Sequence, residues 1–110
     1  MPNYLELSVP DIDASKAFYA KAFDFAFVNY GPEYQGVSGD HIEIGLFRSN
    51  APPPPLPGFQ TDDIDAALKT VREAGGEIVR ETYEFPGGRR FHFRDPGGNE
   101  MLVYQYETQE

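Results

Sequence analysis

Arg90 and His92 stand two residues apart in the stretch RRFHFRD, a spacing that puts them on one face of a strand. Histidine suits proton transfer near neutral pH, and arginine can fix a carboxylate, phenolate or carbonyl oxygen by charge-assisted hydrogen bonds. Three glutamates sit on similar alternating segments: Glu6 in YLELSV, Glu43 in HIEIGLF, and Glu100 just before MLVYQYE. With His92 they could form an oxygen-rich cation site. The simpler expectation is that Arg90 and Arg94 pair with these carboxylates, as charged residues on neighbouring strands commonly do.

Strand alternation decides which other residues keep company with these groups. Leu5, Leu7 and Val9 point one way in the first segment, leaving Tyr4, Glu6 and Ser8 on the other side. In HIEIGLF, Ile42, Ile44 and Leu46 form the apolar side, and His41, Glu43, Gly45 and Phe47 lie opposite. Phe91 and Phe93 go to the core, as do Met101 and Val103 in the last segment, which leaves Glu100, Leu102, Tyr104 and Tyr106 with Arg90 and His92. A face that mixes tyrosine, phenylalanine and leucine with glutamate, arginine and histidine has the composition of a ligand cup.

These faces must be positioned by a repeated unit. The tetrapeptide DIDA occurs at residues 11–14 and again at 63–66, 52 positions later, and each copy opens a helix. The first helix runs from Asp11 to about Phe23, with Ala14, Phe18 and Ala22, beside Tyr19 and Phe23, as its apolar stripe. The second has Asp62 or Asp63 as N-cap, then Ile64, Ala67, Leu68, Val71 and Ala74 at helical spacing, and ends at Gly75 and Gly76. YLELSV precedes the first helix and LPGFQT the second, the latter a weaker strand because of Pro57 and Gly58. FAFVNY and HIEIGLF follow the first helix; GEIVRETY, RRFHFRD and MLVYQYE follow the second, with DPGGN as a turn. The run APPPPLP cannot donate backbone hydrogen bonds at its prolines and reads as a stiff spacer between modules 1–51 and 56–110. The fold class expected is α+β: two βαβββ modules forming a curved mixed sheet around a ligand cup, with the helices outside.

A chain of 110 residues is the size of one domain. Nine basic against eighteen acidic residues give a net charge of −9, which repels phosphate backbones and anionic membranes and attracts cations. Nucleic acid and membrane are therefore not expected partners. The absence of cysteine rules out disulfide and thiolate chemistry, and no basic-then-apolar leader is seen, so a cytoplasmic location is expected.

DIDASKAFYAKAFDF resembles the D-x-x-x-S-x-x-F-Y opening of the glyoxalase, bleomycin-resistance and extradiol-dioxygenase superfamily, the vicinal oxygen chelate proteins, and FRDPGGN is similar to its D-P-x-G-N turn. The resemblance spans nearly the whole chain. It implies that metal-dependent members carry donors at the places held here by Tyr4, Leu56, Gly45 and Leu102, none of which is a good ligand except a phenol. Asp24 stands where the family commonly has glycine. The resemblance further places His92 near the acid-base position of extradiol dioxygenases. The resulting expectation is a metal-independent and cofactor-free protein that binds a small, partly aromatic molecule and forms a homodimer. Its ligand-binding residues would be Tyr4, Glu6, Glu43 and Phe47 in the first module; Leu56, Gln60, Arg90, His92, Leu102 and Tyr104 would complete the set, with His92 as the catalytic candidate. The alternative is a lyase, isomerase or dioxygenase-type enzyme with a non-standard site using His92.

Overall fold

The computed structural model describes residues 2–38, 42–51 and 53–107; His41 and Pro52 lie outside the described residues. Two compact units are present, Asn3–Leu56 and a second that begins at Pro57. In the first, β1 (Tyr4–Val9) leads into α1 (Ile12–Phe23), followed by β2 (Val28–Asn29), β3 (Tyr34–Ser38) and β4 (Glu43–Arg48). The second repeats the order with β5 (Leu56–Gln60), α2 (Ile64–Glu73), β6 (Glu77–Phe85), β7 (Gly88–Arg94) and β8 (Glu100–Tyr106). The fold is α+β, built from two βαβββ modules. Each is a mixed sheet with the same connections: the leading strand pairs in parallel with the last, and the remaining strands add antiparallel.

The duplicated DIDA opens both helices in the same way. Asp11 is extended at the N-cap and its carboxylate accepts from the Ala14 N–H at 3.0 Å; Asp63 does the same with Ala66 at 3.1 Å. Each satisfies an amide that has no partner inside the helix. α1 ends on Asp24 in the left-handed region (φ 62°), where its N–H donates to the carbonyl of Ala20. A position that usually favours glycine is thus filled by aspartate, one of the few side chains that tolerate it.

Packing follows alternation most clearly in the second unit. Ile64, Phe91 and Val103 form a buried cluster, with Phe59, Ala67, Leu68, Val71, Ile78 and Phe93 against it, so α2 covers the Phe91 face of β7 and β8. The register places Arg90 opposite Tyr104 and His92 opposite Leu102, on the face turned away from α2.

The first unit departs from expectation in two places. Ile12 is the buried residue of α1, while Phe18 and Phe23 are 58% and 62% exposed, so the stripe expected from Ala14, Phe18 and Ala22 is not a buried one. The rings of Phe18, Tyr19, Phe23 and Phe25 instead pack on one another, Tyr19 stacked on Phe25 and the others edge-on or tilted, with Phe27 joining through Phe25. FAFVNY contributes only Val28–Asn29 to the sheet, and YQGVS supplies β3 in its place. Among the described residues, no helix is long and apolar enough to cross a membrane.

Candidate functional site

The chemistry-bearing face of the second unit is built from β6, β7 and β8. Across an antiparallel pair, side chains in register share a face, so Arg90 and His92 of β7 meet Tyr104 and Leu102 of β8. On the other flank, β6 slips twice: its register shifts between Ile78 and Arg80 and again between Arg80 and Tyr83. Arg80 then pairs with His92 and Tyr83 with Arg90. Bulges of this kind re-aim side chains. Here they deliver Tyr83, three residues beyond Arg80, to the same face as Arg80.

The result is a continuous hydrogen-bonded line. The Nδ1 of His92 lies 3.0 Å from Oε2 of Glu100, and its Nε2 lies 2.7 Å from the Tyr83 hydroxyl, which also accepts a hydrogen bond from Nε of Arg90. The guanidinium of Arg80 covers the Tyr83 ring at 3.5 Å from its centre, and that of Arg90 stands 5.4 Å away. With His92 neutral, these partners set where the protons sit. Arginine can only donate, so the Tyr83 oxygen accepts from Arg90; a carboxylate can only accept, so neutral His92 carries its proton on Nδ1. The Tyr83 proton is thereby aimed at the bare Nε2. Such a line, a hydroxyl on a base that is itself oriented by a third group, is how a weak acid is prepared for proton transfer. His92 is 7% exposed, whereas Tyr83 and Arg90 are half-buried.

Several expected groupings resolve differently. Arg94 pairs with Glu77 at 3.0 Å, a carboxylate the sequence reading did not consider. Glu100 partners His92. Leu102 and Tyr104 are buried beside Arg90 and His92, while Gln60, opposite Tyr104 on β5, is exposed. Leu56 is buried at the start of β5. In the first unit, Tyr4 and Glu6 are buried, and the Tyr4 hydroxyl contacts the hydroxyl of Tyr34 at 3.0 Å and Glu6 at 3.5 Å. Glu43 and Phe47 are exposed. Sequence reasoning missed both Tyr34 and Tyr83.

Three of the four positions that the resemblance matches to metal donors carry no donor side chain. Leu56 and Leu102 offer no donor, and the space a Gly45 side chain would need is filled by the hydroxyls of Tyr34 and Tyr4. No group of three or more His, Cys, Asp or Glu among the described residues could hold a metal.

Comparison with known proteins agrees with this architecture. "Anthracycline biosynthesis protein DnrV" of Streptomyces peucetius is 28% identical over 132 aligned positions, covering 99% of this chain and 48% of that protein, so the chain spans about half the length of this relative. Among solved structures, the Mn(II)-bound glyoxalase from Novosphingobium aromaticivorans is 25% identical with a TM-score of 0.69, over 94% of this chain and 38% of that one. A superfamily member from Vibrio splendidus 12B01 shares the fold at 18% identity and a TM-score of 0.70, over 93% and 96% of the two chains. The family profile itself matches residues 2–103, nearly the full described length. The chain belongs to the glyoxalase/bleomycin resistance protein/dioxygenase superfamily.

Proposed function

We propose that this protein binds a small, partly aromatic molecule on the mixed face of β6, β7 and β8, without the metal used by other members of its superfamily. The observation that carries this reading is the setting of Arg90: a half-buried cation among the rings of Tyr83 and Phe85, opposite Tyr104. An aromatic or acyl body would lie against the rings while the guanidinium takes an oxygen. The absence of donors at Gly45, Leu56 and Leu102 supports the metal-free part. The anthracycline relative supports an aromatic ligand, and the net charge of −9 favours one that also carries a cation. A cytoplasmic homodimer is part of the proposal, since each module has strand edges to protect. Light scattering at the 12.4 kDa monomer mass would contradict the dimer.

The second reading, an enzyme using His92, is favoured by one specific observation, the line from Glu100 through His92 to Tyr83.

The binding reading is tested by native mass spectrometry of freshly purified protein and a thermal-shift screen of aromatic and acyl compounds. At least one class should raise the melting temperature of the native protein, and Arg90→Ala should abolish that rise while the variant stays folded. No response from any compound, or an undiminished response in Arg90→Ala, would overturn it.

A further inference from the structure

Both nitrogens of His92 are engaged inside the protein, Nδ1 by Glu100 and Nε2 by Tyr83, and the ring is buried. An imidazole has no third nitrogen, so His92 cannot touch a bound molecule without giving up one of these partners. The member of the line that reaches outward is Tyr83. Its ring is half-buried, and its oxygen, donating to His92 and accepting from Arg90, keeps one lone pair open.

We infer that Tyr83, His92 and Glu100 form a proton relay in which the Tyr83 phenol exchanges a proton with the molecule on this face, and that His92 and Glu100 are positioning residues behind it. The inference rests on the binding reading for where that molecule lies, but the reactivity of Tyr83 follows from the relay alone.

The charges facing Tyr83 are Arg80 on its own strand and Arg90 on β7, with His92 backed by Glu100 of β8. Transfer of the Tyr83 proton to Nε2 breaks the phenol O–H bond and leaves a phenolate beside two guanidinium groups. The imidazolium so formed sits against the Glu100 carboxylate, and no net charge is created. The phenolate can then take a proton from a weakly acidic bound molecule, re-forming the phenol. The electron pair stays on the ligand as an enolate or phenolate, where Arg80 and Arg90 favour it. Return of the proton from His92 through Tyr83, to the same ligand atom or a neighbouring one, closes the cycle without oxidant or reductant. The substrate class is an aromatic or acyl compound with an acidic C–H or O–H.

Benzenesulfonyl fluoride tests the relay without a known ligand. The phenolate oxygen forms a bond to sulfur, fluoride leaves, and the phenol proton goes to His92 and then to water. Mass mapping reports the rate at each tyrosine, and Tyr30, 67% exposed, serves as an internal reference. Tyr83 should be labelled ahead of Tyr30 at neutral pH. Glu100→Gln preserves shape but removes the charge that supports the imidazolium. It should slow Tyr83 by about tenfold and leave Tyr30 unchanged. Equal rates at Tyr83 and Tyr30, or a Glu100→Gln variant with the wild-type ratio, would overturn the relay. Should Glu100→Gln fail to fold, the wild-type ratio decides. A reactive Tyr83 with no ligand response in the thermal-shift screen would refute the binding reading alone; a ligand response with an ordinary Tyr83 would refute the relay alone.

Discussion

Gly45 has no room for a side chain, and adding one methyl group there probes the Tyr4 and Tyr34 hydroxyl pair. A Cβ at this position would collide with both hydroxyls and come within 2.7 Å of Cζ of Tyr34. The atoms it meets end tyrosine side chains, but these are not free to swing: Tyr4 is 9% exposed, and its hydroxyl is held by Tyr34 and near Glu6. Overpacking of a filled site costs about 1–3 kcal/mol, and loss of the tyrosine pair adds about 1 kcal/mol. For a domain of this size each kcal/mol lowers the melting temperature by roughly 4–8 °C, so Gly45→Ala should fall by about 8–30 °C. Circular dichroism in the near ultraviolet follows the tyrosines while thermal and urea unfolding give the stability. Tyr34→Phe alone should cost about 1 kcal/mol, yet in the Gly45→Ala background it should recover part of the loss, because it removes one of the colliding oxygens. A Gly45→Ala protein within about 2 °C of wild type, where several kcal/mol would move it much further, or strict additivity of the two changes, would refute the packing described here.

Four further outcomes are expected. His92→Ala should destabilise the fold by about 1–3 kcal/mol in urea titration, because it strands the buried ends of the Tyr83 and Glu100 contacts. Asp63→Ala should cost about 1 kcal/mol through loss of the α2 cap, measured as a fall in melting temperature; Asp63→Asn, which keeps an acceptor, should cost less. The Asn99 backbone N–H, and then its side-chain amide, hold the Asp95 carboxyl below its ordinary value of 3.8. The folded state therefore prefers the ionised form: the stabilisation is present above the ordinary value and lost as pH falls through the lowered one. An NMR titration midpoint of Asp95 at or above 3.8 would contradict this. Finally, elemental analysis after dialysis should show no stoichiometric zinc, nickel, iron or manganese, and about one metal per chain would reverse the metal-free reading.

Some of this was legible in the sequence because its signals were uninterrupted. Period-two alternation through RRFHFR and MLVYQY survives intact in β7 and β8, so the separation of Phe91 and Phe93 from Arg90 and His92 could be read directly. The paired DIDA segments carry their own capping chemistry, and the helices begin where it predicts. Tyr83 could not be found in this way. Two register shifts in β6 change which side chains reach which face, and nothing in GEIVRETY marks where the extra residues fall. Tyr34 escaped because YQGVS, with glycine at its centre, offers no alternation to read. The α1 stripe misled because apolar spacing shows which residues share a face without showing what covers them; its rings found one another and those of Phe25 and Phe27. His92 was recognised as a proton-transfer group, but its burial and both its partners became visible only in three dimensions.

The two bulges of β6 make the register of that strand a determinant of its chemistry. Between Arg80 and Tyr83 the chain uses three steps where β7 uses two. Regular pairing onward from Arg80 would set Thr82 opposite Arg90 in place of Tyr83. A threonine hydroxyl beside Arg90 and His92 is not a phenol, and the acid of the site would be gone. A slip of one residue, with no change in sequence, would act here as a point exchange of tyrosine for threonine at the site. Deleting Glu81 or Thr82 would remove the bulge and yet keep Tyr83 opposite Arg90, so the bulge and the tyrosine are separable features of the strand.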